Sequence, residues 1–128
     1  MSTNIFFDAQ ALNPGVKIVS GSFKPNGSSA VDNTANTGAG WTVARTGVGA
    51  FLVTLDDGYP GILSATATLA MNAAADSKCI LGAIDVTTAA GGTVIIRTVT
   101  TASAADIAAH ANNRIHFCLV LRNTSQTK

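Results

Sequence analysis

Short stretches of alternating apolar and polar residues, broken by Gly, Asn, Asp and Pro, run through most of the chain. Alternation with a period of two puts successive side chains on opposite faces of an extended strand, so each stretch is read as a half-buried β-strand. Asn13-Pro14-Gly15 interrupts the chain before Val16-Lys17-Ile18-Val19, a predicted strand reaching Phe23. Trp41 to Arg45 and Ala50 to Leu55 alternate on either side of Thr46-Gly47-Val48-Gly49, which predicts a hairpin with Phe51, Val53 and Leu55 on one face. Turn chemistry from Asp56 to Gly61 ends it. Leu63 to Met71, Cys79 to Val86 and Thr93 to Thr100 follow as further strands. The last run, Arg114 to Arg122, sets Ile115, Phe117, Leu119 and Leu121 on one apolar face and His116, Cys118, Val120 and Arg122 on a mixed one. That mixed face suits a strand covered by a second layer or a neighbouring subunit.

Six to eight short strands with turns at fairly regular spacing predict an all-β antiparallel sandwich or jelly roll, with an up-and-down barrel as the alternative. No strand is followed by a good amphipathic helix, which disfavours a parallel α/β arrangement. Ala73-Ala74-Ala75-Asp76 is too short to stand as a helix and is read as a turn. Ser103 to His110 is the best helix candidate, at most one or two turns, with Ser103 as N-cap and Asp106 at the third helical position. Residues 24–40 are polar and rich in Gly, Asn, Ser and Thr without any period, and read as a long exposed loop. Together with the N-terminal segment 1–15, this loop is the expected contact arm of a domain that spans 1–128.

The size of the chain, 128 residues, suits one domain with its own core. Charged residues make up 12% and hydrophobic ones 47%, so the weak charge does not signal disorder. A net charge of +1 on thinly spread Lys and Arg argues against nucleic acid as the main partner. It also gives a free monomer little protection against association. The beginning of the sequence lacks a basic region followed by a long apolar one, and no apolar run is long enough to span a bilayer, so neither export nor a membrane is expected. Cys79 and Cys118 each sit within an apolar strand-like run and are expected as buried free thiols, as in a reducing cytoplasm.

Candidate chemistry is sparse. Glu is absent, and the carboxylates Asp8, Asp32, Asp56, Asp57, Asp76 and Asp106 lie in or beside predicted turns or caps, with Asp85 near a strand end. Asp56-Asp57-Gly58 lacks the alternating ligands and closing Glu of a calcium loop. His116 and Cys118 share a strand face through the pleat alone, which points to a packed or interface histidine ahead of a zinc ligand. Gly38-Ala39-Gly40 precedes a strand instead of opening a helix, unlike a phosphate-binding loop. The chain is therefore expected to be no enzyme, with no metal, cofactor or small-molecule substrate.

Two stretches resemble small tailed-bacteriophage virion proteins. One is Gly40-Trp41-Thr42-Val43-Ala44-Arg45-Thr46-Gly47-Val48-Gly49-Ala50-Phe51-Leu52-Val53-Thr54-Leu55-Asp56-Asp57-Gly58-Tyr59, and the other is the ending Arg114-Ile115-His116-Phe117-Cys118-Leu119-Val120-Leu121-Arg122-Asn123-Thr124. What the resemblance implies is a capsid decoration (cement) protein: a homo-oligomer, with a trimer favoured and a dimer as the alternative, that clamps major capsid protein subunits. Its location would be the virion's capsid surface, after synthesis in the host bacterial cytoplasm. The expected contacts are Ile5, Phe6 and Phe7 in the N-terminal segment, Lys24 and Asn26 in the loop, Trp41, and His116 and Arg122 on the mixed face of the last strand. A receptor- or glycan-binding domain of a tail fibre is the second reading, and exposed loop aromatics would favour it.

Overall fold

Residues 15–72, 76–89, 91–101 and 103–122 are described by a computed structural model of the chain. Eight strands form among the described residues: β1 (Val16–Phe23), β2 (Trp41–Gly47), β3 (Ala50–Leu55), β4 (Gly61–Ala70), β5 (Lys78–Asp85), β6 (Thr93–Thr100), β7 (Ser103–Ala104) and β8 (Arg114–Arg122). They make a β-sandwich of two antiparallel sheets. A three-stranded sheet has the order β1-β8-β4, and a five-stranded sheet has the order β2-β3-β6-β5 with the short β7 beside β6.

The alternation along the strands decides which side chains meet. Ile115, Phe117, Leu119 and Leu121 of β8 point inward, as their spacing predicts, and meet Phe51, Val53 and Leu55 of β3 with Val94 and Ile96 of β6 in one core. Trp41 packs edge-on against Phe117, with ring centroids 4.7 Å apart, and Phe23 lies 5.3 Å from Phe51. Gly21 of β1 faces inward opposite Phe117, and any side chain there would run into the Trp41 indole. Removing this much apolar area from water is the main force holding the sheets together.

The helix expected over Ser103 to His110 does not form. Ser103 and Ala104 extend as β7 against Thr100 and Val99, and the Ala105 N–H donates to Thr98 O at 3.0 Å while Thr98 Oγ1 donates to Ala105 O at 2.6 Å. Ile107, just beyond, is buried. An isolated helix of two turns is marginal in water. Extended backbone here gains β6 as a partner and places Ile107 in the interior.

The loop from 24 to 40 is largely exposed, as expected, and is also tied to its own domain. Pro25 and Val31 are buried, the Gly27 N–H donates to Ile107 O at 2.9 Å, and residues Asn33–Ala35 form a single 3-10 turn capped by Asp32. The loop is folded down on its own domain. The expected turn over 73–76 and the expected arm over 1–15 lie, apart from Asp76 and Gly15, outside the described residues.

Candidate functional site

A β-sandwich has four edge strands, and their exposed backbone groups are where such a domain meets other chains. Here β1 and β2 are the edges of one flank, and β4 and β5 are the edges of the other. The 24–40 loop treats the first flank in two places. Thr37 pairs with Ser22 of β1 through both backbone bonds, Ser22 N–H to Thr37 O at 2.8 Å and Thr37 N–H to Ser22 O at 2.9 Å. The Asn33 side chain caps β2 by donating from Nδ2 to Val43 O and accepting from the Val43 N–H at Oδ1, each at 2.9 Å. Arg114 holds the loop from the neighbouring strand, its Nη2 donating to Ala35 O at 3.2 Å and Thr37 Oγ1 at 3.3 Å.

The opposite flank has no such strap among the described residues. Inward side chains on the central strands β8, β3 and β6 are closed off, but those on β4 and β5 stay half-buried although they pack on the same core: Ile62, Ala65, Ala67 and Leu69 on β4, and Cys79, Leu81 and Ile84 on β5. Leu63 and Ile80, on the same two strands, are 54% and 47% exposed. β4 carries no charged residue along its ten positions, and β5 carries only Lys78 and Asp85 at its ends.

The outer face of the three-stranded sheet is the second candidate surface. Registered rows cross it as Ile18–Val120–Ser64, Ser20–Cys118–Thr66 and Ser22–His116–Thr68. Every side chain in these rows is small, hydroxylated or apolar apart from His116. The guanidinium-bearing residues Arg122 and Arg114 sit at its two ends. Ile18 on this face is 50% exposed.

The residues expected to make contacts are dispersed by the fold. His116 is exposed on the central strand of the outer face, in the row next to Arg114, and Arg122 lies at the other end beside Gly61. Lys24 and Asn26 line an open cleft of about 540 Å³ with Asp32 and His110, at the far side of the loop. Trp41 is only 6% exposed, so it belongs to the core and not to a contact surface. Ile5, Phe6 and Phe7 lie outside the described residues. Both cysteines are free, as expected, and half-buried where buried thiols were expected. They also lie apart: Cys79 faces the core from β5, where burial raises its pKa, while Cys118 sits on the outer face of β8.

One cluster escaped the sequence reading. Asp106 accepts from Arg45 in a two-pronged pair, Nε to Oδ1 at 3.0 Å and Nη2 to Oδ2 at 2.8 Å, and Oδ1 also accepts from the Gly49 N–H at 2.9 Å. Gly49, at φ 58°, turns the β2–β3 hairpin back against Thr98 and Ala105, where a side chain has no room. The carboxylate, expected inside a helix, instead fastens a hairpin turn. In a chain with so few charges, an Arg on a strand and an Asp beyond it were the only signal for this pair.

Among the described residues no three His, Cys, Asp or Glu side chains come together in a way that could hold a metal ion. Two further acidic groups serve local turns: Asp32 accepts from Thr34 and Asp85 from Thr87, bonds that hold both carboxyls below their ordinary pKa. No protein-family model matches the chain, and no curated protein and no solved structure matches it either.

Proposed function

We propose that this protein is a virion structural protein that decorates a bacteriophage capsid by seating between subunits of the major capsid protein. The observation that carries the reading is the outer face of the β1-β8-β4 sheet. It is three strands wide, lined mostly by Ser, Thr, Cys and Val with Ile18 and His116 among them, and bounded by Arg114 and Arg122. Such a surface costs little to desolvate and is bracketed by charges that can fix orientation. Of the two stretches that resemble virion proteins, the last strand contributes to it, since β8 is its central strand, while the β2–β3 hairpin belongs to the other sheet.

A glycan-binding head draws no support from the described residues, because Trp41 and Tyr59 are both buried. The decoration reading is tested on particles of the phage that encodes the chain. Hundreds of copies per particle are expected, with Cys118 shielded from a maleimide dye on the particle and labelled in the free protein. His116→Glu combined with Ser20→Glu is expected to strip the protein from particles without unfolding it. A few copies confined to the tail, or full occupancy by that double variant, would refute the reading.

A further inference from the structure

We propose that the β4 edge is a dimer interface, occupied by β4 of a second copy of this chain across a two-fold axis. The two flanks of the sandwich are finished differently. On one, Thr37 and Asn33 take up backbone groups of β1 and β2; on the other, β4 ends the sheet with nothing beyond it among the described residues. A long, uncharged, unprotected edge is what folded monomers avoid, because it templates pairing with another chain. After an irregularity between Ile62 and Ser64, residues Ser64 to Ala70 run in unbroken register with β8, without Gly, Pro or charge.

The sequence of this edge is its own antiparallel complement. Centred on Ala67, a two-fold sets Ala67 against Ala67 of the second copy, Thr66 against Thr68, Ala65 against Leu69 and Ser64 against Ala70. Inward residues stay with inward ones, and on the other face Thr66 meets Thr68 while Ser64 meets the small Ala70, so one continuous six-stranded sheet results. The half-buried Ala65, Ala67 and Leu69 then gain the cover they lack.

Charge selects the same arrangement. β5 lies on the same flank, shifted in register between Leu81 and Ile84, so it is a poor edge for continuous pairing. Its exposed Lys78 and Asp85, of opposite sign at opposite ends, are the only charges on either strand. A two-fold that runs β4 antiparallel to its copy runs β5 antiparallel too, which brings Lys78 toward Asp85 of the second copy, twice per dimer. A parallel pairing would set like charges together. The pairing is a dimer, in place of the trimer that the family resemblance implies.

The test is sedimentation of the full chain over a range of concentrations, with disulfide trapping at the axis. In a Cys79→Ser, Cys118→Ser background, Ala67→Cys is expected to cross-link into a dimer under mild oxidation, because directly opposed antiparallel residues meet the spacing a disulfide needs. Thr42→Cys, on the capped flank, is expected to stay uncross-linked. Thr66→Lys with Thr68→Lys is expected to weaken the dimer roughly tenfold or more while circular dichroism keeps its β signature. A chain that sediments as a monomer at every concentration, or a dimer in which Ala67→Cys fails to cross-link, would overturn the proposal. So would a dimer untouched by the paired lysines. A monomer that still decorates particles removes this interface alone, whereas a dimer absent from particles removes the decoration reading alone.

Discussion

The Asn33 side chain occupies the place of a neighbouring strand against Val43, donating to its carbonyl and accepting from its N–H at 2.9 Å each. A primary amide has the same donor and acceptor as a peptide unit, so one residue ends the sheet where a strand would otherwise continue it. Asn33→Ala removes both bonds and is expected to cost about 1–3 kcal/mol. Urea denaturation gives the loss, and amide exchange at Val43 is expected to accelerate more than at Val53 on the next strand. Equal protection at Val43 in both proteins would show that the cap does not hold the edge.

The Arg45–Asp106 pair makes stability depend on pH. The bonds from Arg45, and then the Gly49 N–H, lower the pKa of Asp106. A depressed carboxyl contributes stability that is complete above its unfolded value, about 3.9, and is lost as pH falls through the folded value. The wild-type urea midpoint is therefore expected to fall between about pH 5 and pH 3 more steeply than that of Asp106→Asn. Some slope remains in the variant, because Asp32 and Asp85 are lowered as well. Parallel profiles for the two proteins would show that the pair contributes nothing.

Gly21 is held to glycine by the indole beside it. A methyl group there meets the Trp41 ring and the Thr37 carbonyl, so both the core and the strap must shift. Gly21→Ala is expected to destabilise by about 1–3 kcal/mol, with a change in tryptophan emission because Trp41 is the sole fluorophore of its kind. Gly47→Ala, at an open position, serves as the control.

Cys79 and Cys118 are expected to differ as nucleophiles. The thiolate is the reactive form, and burial against the core raises the Cys79 pKa. Cys118 lies on the outer face between Ser20 and Thr66. Maleimide labelling followed by peptide mapping is expected to find Cys118 modified first. Equal rates would show that the flank next to β5 opens in solution.

The strands were legible because period-two alternation is written into each one. The β8 pattern predicted its inward face residue by residue, and the β2–β3 hairpin appears where the alternation and the Gly47-Val48-Gly49 turn put it. The strap was not legible. Asn33 and Thr37 act on partners in other elements, and an Asn in a polar loop reads as a turn former whatever it bonds. The stretch from Ser103 misled for a related reason: its Ala-rich local preference is weak over so short a run, and Thr98 on β6 together with the sequence-distant Arg45 decided it. The open β4 flank left one trace, a strand of Ser, Thr and Ala with no charge, but uncharged strands also fill ordinary interiors.

The capping of one flank by the loop sets how far association can run. A sandwich with two bare flanks is bifunctional, like a monomer in step-growth polymerisation, and can add copies without limit into a fibre. With β1 tied at Ser22 and β2 at Val43, the proposed β4 pairing uses the one strand flank left open among the described residues, and joining through it consumes that flank. Under the proposed β4 pairing, Asn33 and Thr37 act as an end group, and association through strand edges stops at a closed pair.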